Sequence, residues 1–374
     1  MPQPDLVRAR LLGQGLVTRP FGSAAAAASH LLASQAQDLP GVVGSLALRL
    51  GESDAGEGPA PGPADVIAAF DRGEIVRGYP MRGTVFVTAA ADMRWLTELC
   101  AEGPLRAQRA RRGALGLDQE QVDRARAVLE DTLAEVPAGL PRSELLAAWQ
   151  QAGLASEKGQ GYHLLSHLVA SGVAVYGPWK DDDTAVVLAN THLPPDSGLE
   201  GRFDGDRTAA AAELLRRYLL GHGPATLRDA AWWSKLPLSL LRRALPSVLA
   251  EVEEAGADEA GETRYAAPGL AEQLASTPSA HLDALQLLPG FDEIVLGHPD
   301  RLPLLGEEEL PLLVPGRNGI FRRGMIRRGR MIGFWRREGR PGDRRLELDP
   351  LGPMPAVARR EAERAYATFP FVSA

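Results

Sequence analysis

Residues 141–189 read PRSELLAAWQQAGLASEKGQGYHLLSHLVASGVAVYGPWKDDDTAVVLA. PRSELLAAWQQAG resembles a helix start, with Ser143 near its cap. GYHLLSHLVASG reads as a second helix closing at Gly172. VAVYGPWKDDDTAVVLA reads as a hairpin. Two apolar helices followed by a two-stranded wing is the order of a winged helix-turn-helix unit. A further unit of that kind fits residues 207–269, where DRTAAAAELLRRYLLGHGPAT and LRDAAWWSKLPLSLLRRALPSVL precede a short GETRYAAP wing. No sharp sequence repeat links the two, and only the order of elements recurs.

Working outward, residues 4–33 read as helix, a break at TRPFGSAAAA, then helix again, ending near Leu39-Pro40-Gly41. VVGSLALRL continues as a helix or a buried segment, and residues 51–65 are a loop by composition. A short helix from Val66 to Asp71 leads to RGYPMRGTVFVTA, a turn feeding a strand. Residues 91–133 are helical with alternating charge. From about residue 280 glycine and proline punctuate the chain, short strands follow, and PAVARREAERAYATFPF reads as a closing helix. The expected fold is α+β, with three tandem winged helix-turn-helix units and a C-terminal β-rich domain. The expected domains are 1–135, 136–203, 204–279 and 280–374.

Composition bounds the function. The chain has 374 residues, 41 basic and 48 acidic, for a net charge of -7. Its apolar fraction of 45% excludes global disorder. The lone Cys100 excludes an intrachain disulfide, is best read as a buried inert thiol, and fits a reducing compartment. No apolar run reaches the roughly 18 residues of a membrane span. The start has charges where a signal peptide needs an apolar core. A cytoplasmic monomer with no membrane contact and no obligate protein partner is expected. His163 and His167 lie four apart, but no H-E-x-x-H pattern or third ligand accompanies them, so no metal and no cofactor is expected.

The charge is unevenly placed. Residues 316–345 hold eleven arginines and two acids, a local charge of +9. Arg317, Arg322, Arg323, Arg327, Arg328 and Arg330 sit beside Gly324 and Gly329, which suggest turns. An arginine-rich hairpin can lie along phosphates or enter a groove, and the planar guanidinium suits both phosphate and base edges. The bland alternative is a solvated face in an arginine-biased chain, in which only three lysines stand against 38 arginines.

Four pieces carry a specific resemblance: ASQAQDLPG at 33–41, VRGYPMRGTVFVTAAADMRWL at 76–96, YLLGHGPATLRDAAWW at 218–233, and LLPGFDEIVLGHPDR at 287–301 with the following GRMIGFWRR at 329–337. Together they resemble the winged-helix DNA glycosylases typified by the enzyme that protects azinomycin-producing bacteria. The resemblance spans nearly the whole chain in consistent order, with one extra alanine in the second piece. It implies three winged-helix units and a β-rich domain around a concave DNA-binding surface. It implies monofunctional hydrolysis of the N-glycosidic bond of bulky N7-alkylguanine, in some members N3-alkyladenine or a crosslinked base, in double-stranded DNA. It also implies a minor-groove hairpin, placed here between Ile320 and Trp335. Gln35-Ala36-Gln37 matches the Gln-x-Gln motif of the crosslink-resistance branch, so Gln35 and Gln37 are the expected catalytic pair. Arg82, His298 and Arg301 are candidate DNA contacts, and Asp38, Met81 and Asp300 candidate supports. For Asp38, capping or pairing with an arginine competes with a role as base. For Trp232, Trp233 and Trp335 a core role is the expectation.

The chemistry agrees with the motif. An N7-alkylated guanine already carries positive charge and leaves readily. The developing sugar cation wants a positioned water and nearby oxygen dipoles. A neutral amide is no strong general base, so positioning and electrostatics must carry the rate. Two glutamines at i and i+2 can share this work only if the segment is extended, because in a helix they point about 200° apart. The rival reading is a non-enzymatic winged-helix regulator of transcription. Scarce lysine with abundant Arg, Ala, Gly and Pro suggests a GC-rich genome, which fits self-resistance in an antibiotic producer.

Overall fold

The computed structural model describes residues 3–51, 61–316, 318–340 and 343–372. Among these residues lie eighteen α-helices and eleven strands. The strands are β1 (Ser34–Gln35), β2 (Ile75–Gly78), β3 (Phe86–Ala89), β4 (Ala174–Lys180), β5 (Asp183–Leu188), β6 (Glu253–Ala257), β7 (Thr263–Ala266), β8 (Gln286–Leu287), β9 (Arg323–Arg327), β10 (Arg330–Glu338) and β11 (Arg345–Pro350). They form antiparallel sheets of order β1-β3-β2-β4-β5, β6-β7 and β11-β10-β9-β8. The architecture is mixed α/β.

Residues 141–189 fold as helices Arg142–Gln151 and Gln160–Ala170 followed by the β4–β5 hairpin. Trp149 is fully buried and its indole N–H donates to Ala125 of the preceding helix Gln119–Glu135 at 2.9 Å. One order of elements recurs three times: helix, short extended segment, two helices, hairpin. It runs through Ala24–Leu31, β1, Leu39–Ala47, Pro63–Asp71 and β2–β3. It runs again through Gln119–Glu135, Leu140, Arg142–Gln151, Gln160–Ala170 and β4–β5. It runs a third time through Arg207–His222, Ala225, Leu227–Ser234, Leu238–Ala244 and β6–β7. In each case the short segment pairs with the last strand of the hairpin: Ser34 with Val87, Leu140 with Val186, Ala225 with Tyr265. The strand Ile75–Gly78, of which the sequence reading gave Arg77 and Gly78 to a turn, pairs with β3 on one side and β4 on the other, so a single sheet runs through the first two repeats. Its apolar run is short and ends in Gly-Tyr-Pro, which hides a strand from pattern alone.

Two apolar clusters flank β3. Val87 faces Val42, Val43 and Phe70, while Phe86 faces Leu32, Trp95, Leu214 and Tyr218 of the third repeat. This alternation is what a strand buried on both faces produces. The terminal sheet is backed by helix Ala356–Ala367, with Trp335 packed against Phe369 and Phe371. The N-terminal helix Gln3–Gly13 bridges the molecule, sending Val7 and Leu11 into the C-terminal core and Ala9 and Leu12 against Leu270. Among the described residues no helix is long and apolar enough to cross a membrane.

Candidate active site and DNA-facing surface

Gln35 ends β1 and Gln37 lies two residues on, before Asp38 at the start of helix Leu39–Ala47. Gln35 pairs with Phe86, and the Ala36 N–H donates to the Val85 carbonyl at 2.8 Å. The segment is therefore extended, the condition under which residues i and i+2 share a face. The Gln35 amide nitrogen donates to the Gln37 side-chain oxygen at 3.1 Å and to the Thr84 hydroxyl at 3.2 Å. Gln35 is 5% exposed, whereas Gln37 is open to solvent. The buried amide thus orients the open one. Thr84 escaped the sequence reading, although it sits inside the quoted MRGT stretch.

Asp292 and Glu293 were missed as well. Both are about 1% exposed, an unusual place for two acids. Glu293 accepts the Gln35 backbone N–H at 2.9 Å and the Trp233 indole N–H at 3.2 Å, and lies 3.4 Å from His222 Nε2. Asp292 accepts from Arg49 and from the Ser45 hydroxyl at 2.7 Å. Burial alone would raise the Asp292 carboxyl, but the Arg49 charge and these hydrogen bonds hold it below its ordinary range. The adjacent acids Asp292 and Glu293 thereby grip both ends of the segment Gln35–Arg49. The signal was present in sequence as two acids inside an apolar stretch, FDEIVLG.

Asp38 makes no capping bond to its helix, and its carboxylate lies 3.9 Å from an Arg323 nitrogen. A Cβ at Gly290 would sit 3.2 Å from the Phe321 carbonyl and 3.5 Å from the Asp38 carboxylate, so the absence of a side chain there keeps this approach open. Arg82 occupies a left-handed turn (φ 58°) followed by Gly83 (φ 71°), and its guanidinium lies 4.7 Å from the Trp232 ring centre. Burial lowers its pKa. Arg301 lies 5.7 Å from the same ring, and burial together with Arg82 brings it down to about 10. Trp233 and Trp335 are core residues as expected, while Trp232 is only half-buried.

Several sequence expectations need correction. His298 is not on a DNA-facing surface: it is 2% exposed, packed near Tyr218 and His222, and burial holds its ring neutral. Met81 is fully buried in the core beside Phe86 and Trp95, so its support is packing. Asp300 caps its own turn by accepting from the Leu302 N–H at 2.9 Å. Arg327 pairs with Glu361 at 2.7 Å, and Arg322 pairs with Asp349 at 2.5 Å while lying over the Phe334 ring. Arg317 lies outside the described residues. Arg328 and Arg330 are exposed at the β9–β10 turn. That turn packs on the N-terminal segment, since a Cβ at Gly329 would overlap the Pro4 carbonyl at 2.3 Å. The hairpin between Ile320 and Trp335 therefore has a covered end. The neighbouring β10–β11 hairpin presents Arg340 and Arg345 to solvent, and a groove beside it is lined by Arg322, Arg323, Arg336 and Arg337.

The histidine pair is engaged internally. His167 lies 2.7 Å from an Arg112 nitrogen and 3.2 Å from the Gln108 amide oxygen, and burial with the nearby arginines lowers its pKa to about 4. Among the described residues no three His, Cys, Asp or Glu side chains gather as a metal site. Burial pushes the Cys100 thiol up to about 12, which keeps it un-ionised.

The family model for AlkZ-like DNA glycosylases matches residues 28–369. The chain belongs to that family. Its fold is similar to Streptomyces sahachiroi DNA glycosylase AlkZ, with a TM-score of 0.71 and 21% identity over 99% of this chain and 98% of that one. No curated protein matches the sequence significantly. As an AlkZ-like DNA glycosylase the chain acts on DNA. The extended Gln35-Ala36-Gln37 segment lies within the matched residues.

Proposed function

We propose that the chain is a monofunctional DNA glycosylase that hydrolyses the N-glycosidic bond of bulky N7-alkylguanine. The observation that carries this is the 3.1 Å hydrogen bond by which buried Gln35 orients solvent-facing Gln37. Gln37 holds a water against the anomeric carbon, and its oxygen dipole faces the developing sugar cation. Neither amide is a strong base, so the rate depends on a leaving group that is already cationic. This selects alkylated over undamaged guanine without a close-fitting base pocket. Asp38 stands beside Gln37 and near Arg323, where its carboxylate adds negative potential for the sugar cation.

The three recurring helix–helix–hairpin orders support three winged-helix units, with Gln35 on the short segment that closes the first hairpin. The C-terminal sheet then supplies the β10–β11 hairpin and its arginines to the DNA backbone or minor groove. Gln37 lies at the surface, which supports attack on a lesion that stays in the stack, in contrast to the usual extrusion of the base. N3-alkyladenine and crosslinked bases share the cationic leaving group and belong to the same proposal. So does a role in self-resistance to a DNA-alkylating natural product. The test is base release from duplexes treated with a panel of bulky alkylating agents beside simply methylated DNA. Release of the bulky N7-adducts, with an abasic site and no strand cleavage, is expected. Binding without release of any adduct would leave the regulator reading in place.

A further inference from the structure

Three cations from three distant parts of the chain meet at one aromatic ring. Arg82 comes from the turn between β2 and β3, Lys235 from the left-handed end of helix Leu227–Ser234, and Arg301 from the C-terminal domain. Their charged groups lie 4.7 Å, 5.2 Å and 5.7 Å from the Trp232 ring centre. Arg301 donates to the Val295 carbonyl at 2.8 Å, which fixes its guanidinium. Among the described residues no carboxylate hydrogen-bonds to any of the three.

We propose that Arg82, Lys235 and Arg301 around Trp232 form one anion subsite, which takes a phosphodiester of the DNA strand beside the nucleotide presented to Gln37. The inference rests on the glycosylase reading and adds where the strand is held. Three arguments support it. Like charges gathered with no carboxylate bonded to them repel one another, and an incoming anion relieves that repulsion. Consistently, burial and then Arg82 lower Lys235, and burial and then Arg82 lower Arg301. Two planar guanidinium forks match phosphate oxygens, while the ring holds the cations in place by their attraction to its face. With three cations on it, the Trp232 ring serves them and not a stacked base.

The position also fits. Thr84, two residues after Arg82, accepts from the Gln35 amide at 3.2 Å. Glu293, which fixes the Gln35 backbone, is also the charge that most favours ionised Arg82. Arg82 of the subsite and Thr84, the partner of Gln35, therefore share one turn, so a phosphate held there sets the register of the sugar at Gln37.

The experiment has two arms. The first titrates an undamaged duplex with the parent enzyme, Arg82→Gln, Lys235→Gln and Arg301→Gln across a salt series. Each variant is expected to reduce the slope of log affinity against log salt, by at most about 0.9, the value for the one phosphate the three cations share. Lys235 is exposed, so Lys235→Gln gives a reading independent of folding. The second arm measures single-turnover excision from lesion duplexes carrying one neutral methylphosphonate at successive linkages. One linkage near the lesion is expected to slow the parent severalfold and to leave the variants no slower than before. Unchanged salt slopes in all three variants overturn the subsite. So does a methylphosphonate effect spread evenly over all linkages. If the parent excises nothing, the glycosylase reading fails, and the salt slopes alone still decide whether these cations hold phosphate.

Discussion

The Glu293 carboxylate accepts the backbone N–H of Gln35 at 2.9 Å across 258 residues of chain. The Gln35–Gln37 segment is thus held by a residue far along the chain. Removing the carboxylate in Glu293→Ala leaves a buried N–H and a buried indole N–H without partners, at about 1–3 kcal/mol each. A loss of that size in chemical denaturation is expected, with excision falling and affinity for undamaged DNA preserved. Glu293→Gln retains an acceptor oxygen and is expected to recover part of both losses. Equal excision by Glu293→Ala and the parent would show that Gln35 needs no such anchor.

A second expectation concerns pH. His298 is buried, and burial followed by the charge of Arg10 depresses its pKa well below the ordinary 6.5. Its unfolded ring takes up a proton near that ordinary value while its folded ring does not. Stability from this residue is therefore complete above about pH 6.5 and declines as the pH falls toward the folded value, by roughly 1.4 kcal/mol per unit. Asp292, held below its ordinary 3.8 despite burial, adds a loss of the same sign only at lower pH, as it falls through the folded value. Denaturant unfolding at pH 7.5 and 5.5 should show the decline in the parent and a shallower one in His298→Leu. Equal pH slopes would contradict the burial argument.

Among the described residues the arginine-rich stretch divides into members with and without an acid in contact. Arg327 is satisfied by Glu361 and sits beside a covered turn. Arg327→Gln is expected to leave the salt dependence of DNA binding unchanged. Arg340 is exposed beside the end of the β10–β11 hairpin, and Arg340→Gln should lower the salt slope by about 0.9. Reversal of this order in a titration against salt would move the DNA-facing edge to the β9–β10 turn.

Element order was legible in the sequence because helices and hairpins announce themselves by period and by glycine turns. Residues 141–189 show it: the helix over GYHLLSHLVA and the hairpin over AVYGPWKDDDTAVVL follow their patterns. The sequence reading carried the second helix to about Leu39, over Gln35 and Gln37, whereas the helix ends at Leu31 and Gln35 lies in a strand. The extended geometry was legible only as the condition for two glutamines to cooperate. What could not be read is long-range. Nothing local marks Glu293 as the partner of Gln35, or Lys235 as the neighbour of Arg82, because those contacts join segments far apart in sequence. His298 failed for a related reason. A polar residue between glycine and proline looks like a surface turn, and only the packing of Tyr218 and His222 over it shows otherwise. Net charge misled in part as well, because five of the arginines in the +9 stretch, Arg322, Arg323, Arg327, Arg336 and Arg345, have an acid within 4 Å.

The central claim is that Gln37, oriented by Gln35, positions the water that releases an alkylated base. The most direct test is single-turnover base release from a duplex with one bulky N7-alkylguanine, comparing the parent with Gln37→Ala while measuring affinity for the same duplex. The account predicts a rate lower by roughly 10²-fold, the scale for one positioned polar group, with affinity within about twofold. Release by Gln37→Ala at the parent rate would contradict it.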